Sequence, residues 1–379
     1  MDFDFSEEME SVRELAREVL GAEAPIERVK AAEATPHWMD EELWAQLAAT
    51  NLLGIAIPEE QGGMGMGFCE LCVLLEELGR VVAPQPAFAT LVLGALPLAT
   101  FGTQAQREAW LPQVARGQAL LSAALVDAGG PSPASPSARA RRAGDAIVLE
   151  GGKRQVPCAA RAARILVPTS EEGGTVGVYL VDPQAAGVEI SSHVTTTGEP
   201  LSDLTLAGAR VRESDRLGGS RADGAAIAAW LHDRALVAVA ATQVGVSERA
   251  LRITADYVSE REQFGAPIGT FQAVQHRCAD AFIDLAAMRW TLWRAAWRLA
   301  EGLPASRDAA VAKFWAAEGG SRIARAAVHL HGGLGSDVDY PIHRYFLWSK
   351  SLELMLGGAG ATLCRLGQDM ARTGPQEVA

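Results

Sequence analysis

Arg261, Gln263 and Phe264 stand within four positions of one another at a break in the chain. A guanidinium is a planar fork that grips phosphate bidentately, and an aromatic ring can pack on a base or sugar. With an amide between them, these residues suit a phosphate-bearing cofactor. A second group is glycine-rich: His329-Leu330-His331-Gly332-Gly333-Leu334-Gly335, followed by Asp339-Tyr340-Pro341-Ile342-His343-Arg344-Tyr345. Glycine lets a backbone approach a diphosphate with no side chain in the way. Gly332 and Gly333 also suit a helix C-cap, and the two uses are compatible. Asp233 is a carboxylate of the kind that serves as a general base when it reaches the proton. It equally reads as a first-turn residue, favoured by the helix dipole and paired with Arg234. Cys69 and Cys72 form a CxxC, but no second Cys pair or nearby His completes a metal site, so the expectation is core packing and no metal.

Long helical patterns must hold the first two groups. Asp233 to Ser259 is rich in Ala, Leu and Val, and Phe271 to Ala300 repeats apolar residues at helical spacing. Gly265, Pro267 and Gly269 force a loop between them. Trp290, Trp293 and Trp297 share one face of the second helix, a stripe expected in a core or subunit interface. Residues 6–118 also read as helical. Ser6 opens an amphipathic helix through Leu20, a second begins near Asp40, and a third covers Phe68–Leu78. Between the last two, the Pro58–Gly65 glycines predict a flexible surface loop. Residues 119–222 change character, with short β-prone runs at Ile147–Glu150, Ile165–Pro168, Val176–Val181, Leu204–Leu206 and Ala209–Val211. Gly129 to Ser137 reads as a loop on this part. The expected order is a helical domain over 1–118, a β-domain over 119–222 and a helical domain over 223–379.

Composition narrows the function classes. The chain has 379 residues, 49% hydrophobic and 21% charged, with net charge −12. That is a globular composition, and the charge disfavours a nucleic-acid partner. Leu91 to Phe101 is the nearest approach to a membrane span and is broken by Pro97, so no membrane insertion is expected. The acidic start, Met1-Asp2-Phe3-Asp4-Phe5, lacks a secretion signal, and five scattered cysteines fit a reducing compartment; a cytoplasmic location is expected.

The Arg261–Asp280 stretch resembles the acyl-CoA dehydrogenase family in the pattern R-x-Q-F-G-x-P-I-x-x-F-Q-x-V-Q-H-x-x-A-D. Three further blocks agree in order: the Pro58–Gly65 loop, the β-domain exit at Leu201 to Gly218, and the glycine block. The resemblance covers nearly the whole chain. It implies an α+β fold with an N-terminal helical domain, a middle β-barrel-like domain and a C-terminal four-helix bundle. It also implies an FAD-dependent dehydrogenation of an acyl-CoA thioester, with an electron-transfer flavoprotein or similar acceptor. The residues it assigns to the ADP half of FAD are Arg261, Gln263, Phe264, Gln272, His329, Gly332 and Gly333. His329 stands where the family usually has Gln.

Departures from the family pattern concentrate elsewhere. The family's base is a Glu in a Y-E-G-T run; here those positions are Met355-Leu356-Gly357-Gly358. Leu356 has no basic atom. An alternative base position in the family corresponds to Asp233, one methylene shorter than Glu. The flavin-contacting T-E-P-x-x-G-S becomes Val126-Asp127-Ala128-Gly129-Gly130-Pro131-Ser132, and W-I-T becomes Gln155-Val156-Pro157. Pro157 has neither hydroxyl nor N–H. The ADP end is kept and the flavin end is eroded, which resembles one subunit of the heteromeric α2β2 acyl-CoA dehydrogenases of steroid side-chain breakdown. Two rival expectations stand beside it: a self-sufficient homo-oligomer with Asp233 as base, and a non-catalytic scaffold or CoA-ester-binding protein.

Overall fold

A computed structural model describes residues 4–127 and 132–374. Helices α1 (Glu7–Glu23), α2 (Ile26–Glu33), α3 (Glu41–Ala49), α4 (Phe68–Arg80), α5 (Leu96–Phe101) and α6 (Gln104–Ala115) come first. Strands β1 (Leu121–Ala123), β2 (Val126–Asp127), β3 (Arg139–Ala143), β4 (Ala146–Pro157), β5 (Arg164–Ser170), β6 (Val176–Val181), β7 (Val188–Val194) and β8 (Pro200–Arg212) follow. Then come α7 (Gly224–Glu260), α8 (Gln272–Ala300), α9 (Ser306–His331), α10 (Ile342–Leu354) and α11 (Ala359–Thr373). By contacts the chain forms two compact units, one of residues 1–20, 72–83 and 236–379, the other of residues 21–71 and 84–235.

In the second unit the sheet runs β1-β5-β3-β4-β8-β7, with β2 on β4 and β6 on β5. Its buried face carries Leu149, Val156, Ile165, Val167, Tyr179, Val181, Leu204, Leu206 and Val211. The two expected runs at Leu204–Leu206 and Ala209–Val211 are one strand. Gly208, at φ +79°, bulges between them where the pairing with β4 shifts by a residue. β3 escapes sequence reading because Arg139-Ala140-Arg141-Arg142-Ala143 has no β-branched residue. Lys153 and Asp127, both buried, pair at 2.6 Å. The Asp127 carboxylate also accepts the Ser137 N–H at 2.8 Å. The expected flavin-contacting run continues from Asp127 into Ala128–Pro131, and those four positions lie outside the described residues, as does the start of the Gly129–Ser137 loop.

The loop over Pro58–Gly65 is tied to the preceding segment by its backbone. Met64 and Gly65 donate backbone hydrogen bonds to Gly54 and Ile57, each at 2.9 Å. A Cβ on Gly63 would lie 2.1 Å from the Ile57 carbonyl oxygen, so that glycine is required by close packing.

In the first unit, α4 and α7 cross at glycines. A Cβ on Gly245 would stand 1.9 Å from the Glu76 carbonyl oxygen, and one on Gly79 2.2 Å from that of Thr242. Charges surround the crossing. Arg80 reaches Glu248 at 2.6 Å, Arg289 reaches Glu248 at 2.6 Å and Glu76 at 3.3 Å, and Arg17 reaches Glu77 at 2.9 Å. Burial pushes the Glu76 carboxyl above its usual range, with Arg289 opposing. Gln243 ties α7 to α10 through the Ser349 hydroxyl at 3.1 Å, and Gly320 of α9 leaves room for its amide.

Further expectations need correction. α7 begins nine residues before Asp233, where Asp223 accepts the N–H groups of Ala225 and Ala226 at 3.0 and 3.1 Å. Asp233 therefore lies in the third turn and is not placed by the helix dipole. α7 is also long and apolar enough to cross a membrane, unlike the Leu91–Phe101 run. However, 67% of its most apolar window is buried inside the protein, as in a core helix. Of the two places expected for the tryptophan stripe, core or subunit interface, the exposure of Trp290 (59%) and Trp297 (40%) rules out only the first; Trp293 packs edge-on against Phe5 at 4.6 Å. Cys72 is buried and Cys69 half-buried on α4, and no metal-binding cluster of His, Cys, Asp or Glu occurs among the described residues.

Candidate cofactor site

The break after α7 is a small hairpin, Glu262–Gln263 pairing antiparallel with Ala266–Pro267. Phe264 and Gly265 form its turn at φ +55° and +82°. Positive φ at both central positions matches the twist of a tight hairpin, and it holds a bulky ring in the left-handed region. The ring is 94% exposed and meets Phe271 edge-on at 6.1 Å. Arg261 is anchored by its backbone: its N–H donates to Tyr257 at 2.8 Å and its carbonyl accepts from Ile268 at 2.7 Å. Its guanidinium is exposed and makes no ion pair or side-chain hydrogen bond among the described residues. Gln263 is exposed beside it, and Gln272, also exposed, opens α8 at the positive end of that helix.

The glycine block ends α9. Gly332 is its C-cap at φ +60°, a conformation that disfavours any side chain. A Cβ at Gly332 or Gly333 would meet nothing within 4 Å, so both face open space, whereas one at Gly335 would lie 2.3 Å from the Val328 carbonyl oxygen. Gly335 thus serves packing and the first two leave an open backbone surface. His329 is exposed one turn earlier.

An aromatic stack joins the two segments, and sequence reading did not find it. Tyr257, one turn before Arg261, stacks on His331 with centroids 4.4 Å apart. Tyr340 packs against His331 too, tilted by 53° with centroids 5.2 Å apart. His331 Nδ1 bonds the Ala327 carbonyl at 2.8 Å. Burial holds the ring below its ordinary pKa, with the Ala327 bond opposing. The stack fixes the Arg261 arm relative to the Gly332–Gly333 surface. The available signal was Tyr257 at i−4 from Arg261, but nothing in sequence linked it to a residue 74 positions away.

Leu356, the position expected to hold the family's base, carries an apolar side chain. Leu356 takes φ +58° and Gly357 φ +106°. The Leu356 carbonyl accepts from Arg365 at 3.0 Å. Just before it, the buried Lys313 ammonium donates to the carbonyls of Leu352 and Glu353 at 3.1 and 2.9 Å. Burial pulls Lys313 down to about 7. Pro157 ends β4, its carbonyl accepting the Ser122 hydroxyl at 2.6 Å. Asp233 is half-buried, its carboxylate 4.0 Å from His232 Nδ1.

Known proteins share both sequence and shape with this chain. Residues 6–118 match the acyl-CoA dehydrogenase N-terminal domain, and residues 222–369 match the C-terminal domain. Acyl-CoA dehydrogenase FadE27 of Mycobacterium tuberculosis is 38% identical over 98% of this chain and 100% of its own. The chain belongs to the acyl-CoA dehydrogenase family. Such enzymes are oxidoreductases acting on CH–CH bonds. Among solved structures, a Tcur3481-Tcur3483 steroid ACAD variant superposes with TM-score 0.89 at 45% identity, covering 97% of this chain and 98% of that one. The ChsE4-ChsE5 complex from Mycobacterium tuberculosis superposes with TM-score 0.92 at 38% identity, covering 99% and 100%. The α+β family fold follows, with N-terminal helices, a middle curled sheet and C-terminal helices.

An acyl-CoA dehydrogenase cofactor carries a diphosphate, and the ADP end fits one. Arg261 offers an unengaged cation, and Gly332 and Gly333 offer a surface free of Cβ atoms. Leu356 and Pro157 do not match the flavin contacts expected at those positions: the Leu356 side chain has no basic atom, and Pro157 has neither a hydroxyl nor an N–H.

Proposed function

We propose that this chain is one subunit of a heteromeric, FAD-dependent acyl-CoA dehydrogenase, supplying the arm that grips the ADP half of FAD. The observation that carries this reading is the contrast within one chain: an open phosphate surface at Arg261, Gly332 and Gly333, and a base position filled by Leu356. A second acyl-CoA dehydrogenase-type subunit then supplies the base and the flavin contacts, in an α2β2 assembly. The substrate is an acyl-CoA thioester, and the likeness to the steroid ACAD variant and the ChsE4-ChsE5 complex supports a steroid side-chain ester. FAD, when bound, accepts the β-hydride while a base removes the α-proton. In this chain Arg261 pairs with phosphate, His329 and Gln263 add donors, and the Tyr257–His331–Tyr340 stack keeps them in register. Electrons pass on to an electron-transfer flavoprotein or similar acceptor in the cytoplasm. The chain divides at residues 118/119 and 222/223 in this reading.

The test is flavin content after gel filtration. Purified alone, the chain is expected to carry little FAD; co-expressed with its partner, the complex should hold flavin stoichiometrically. A stoichiometric yellow homo-oligomer of this chain would refute the pairing.

Within the complex, Arg261→Ala should weaken FAD affinity about ten- to a hundredfold, since a charge-assisted bidentate contact contributes roughly 1.5–3 kcal/mol. Arg261→Lys should recover only part, because an ammonium cannot form the fork. Flavin retention on dilution reads the effect, and unchanged retention in Arg261→Ala would remove Arg261 from the site.

A further inference from the structure

The second unit holds a cavity of about 250 Å3 that none of the cofactor residues enters. It exceeds the roughly 150 Å3 engineered cavity known to admit benzene. Trp38, Phe88, Ala89 and Ala159 give it carbon walls, and His37 and Ala160 stand at its exposed mouth. The walls are fixed: Trp38 Nε1 donates to the Thr197 carbonyl at 2.8 Å.

Two acceptors line this cavity with nothing to accept. Gln85 is only 7% exposed. Its Nε2 donates to the Asp40 carbonyl at 2.9 Å, which fixes which end of the amide is which. Its Oε1 is buried with no hydrogen-bond partner. The half-buried Glu199 carboxyl has no hydrogen-bond or ion-pair partner among the described residues, and desolvation pushes it up to about 7. An unpaired buried amide oxygen costs roughly 1–3 kcal/mol, and a desolvated carboxylate costs more.

The neighbouring groups narrow the occupant. Arg161, the cation at the rim, is already held by Glu41 at 2.7 Å. An anion would therefore face two unpaired oxygens, with the lining guanidinium already paired to a carboxylate. The Cys158 thiol is pushed up to about 12 by burial, with Glu199 adding to the rise and Arg161 opposing, so it supplies no nucleophile. What remains is an apolar box with two acceptors.

We infer that this cavity binds a compact, mainly apolar small molecule that presents hydrogen-bond donors, an alcohol or an amine, to Gln85 and Glu199. Apolar pockets with a few convergent polar groups are the usual form of a small-molecule site. The inference is independent of the two-subunit reading, because every residue it uses belongs to this chain and none to the cofactor arm.

Benzyl alcohol, benzylamine and toluene are matched probes, alike in body and different in donor. Dissociation constants measured by NMR titration of the purified complex, or of the chain alone, should be at least about tenfold lower for a donor-bearing probe than for toluene. Benzylamine binding more tightly than benzyl alcohol assigns the cationic class, with Glu199 ionised; the reverse order assigns the neutral class. Gln85→Leu and Glu199→Leu should each weaken the preferred donor probe about tenfold or more and raise the relative affinity of toluene. Gln85→Leu removes a buried unpaired acceptor, and the Asp40 carbonyl that loses its amide donor still accepts the Trp44 N–H at 3.0 Å. Glu199→Leu removes a half-buried, unpaired carboxyl. The fold is therefore expected to survive, and an unchanged melting midpoint checks this. Toluene binding as tightly as both donor probes, or variants binding like the parent, would overturn the inference.

Discussion

Gly245→Ala is expected to disrupt the α4–α7 crossing, at a cost above about 4 kcal/mol, the range reserved for severe core changes. The added methyl would stand 1.9 Å from the Glu76 carbonyl oxygen and 2.9 Å from the Arg80 backbone nitrogen. Neither atom belongs to a side chain that can rotate away, so the helices must separate. Separation also pulls apart the charges around the crossing. Arg80 and Arg289 share the Glu248 carboxylate at 2.6 Å each, and Glu76 is buried beside Arg289. Breaking such a group by displacement leaves buried charge uncompensated. The measurement is the thermal midpoint or soluble yield, with a drop of roughly 10 °C or loss of soluble protein expected. Gly367→Ala is the matched control. It lies on exposed α11 with nothing within 4 Å of its Cβ, so it should be neutral or slightly stabilising. A Gly245→Ala protein melting like the parent would mean that the two helices do not cross at this distance.

Lys313→Met should cost about 2–4 kcal/mol, since the carbonyls of Leu352 and Glu353 each lose a donor in a buried place. The pH dependence separates this from simple cavity formation. Lys313 titrates near 7 in the fold and near 10.4 in an unfolded chain. Between those values the unfolded state binds the extra proton, so parental stability rises with pH through this window. Methionine has no such term. The deficit of Lys313→Met against the parent should therefore widen from pH 7 toward pH 9, in denaturant midpoints measured side by side. A deficit that is constant or shrinks would show that Lys313 is not desolvated as drawn. Because Lys313 holds the carbonyls just before Leu356, the variant should also loosen that segment.

The sequence resolved the elements with strong local signals. The break at Gly265, Pro267 and Gly269 is a loop between long helices, and Val176–Val181 is a strand over those same residues. It failed where pairing or packing overrides local preference. α2 was missed because Ile26–Glu33 is a short helix beside another, and β7 because Val188–Val194 is mostly exposed and polar. The start of α7 was misplaced because Gly224 and the alanines after it carry little amphipathic signal. At the cofactor arm, residue types alone pointed to Arg261 and the glycines. The stack that orients them, His331 packed against Tyr257 and Tyr340, depends on contacts between residues far apart in the chain, as does Lys313 under the separate Leu352–Leu356 segment. The left-handed backbone of Leu356 is likewise a consequence of packing that no local pattern records.

Phe264 has a consequence for concentration. A fully wetted phenylalanine withholds about 1.5–3 kcal/mol that burial would contribute. In the two-subunit reading that contribution is collected when a second surface covers the ring, so it enters an association constant rather than a folding constant. Cofactor retention then becomes a property of the solution as well as of the molecule. Dilution alone should act like an inhibitor, releasing flavin as subunits part, and excess partner should reverse it by mass action.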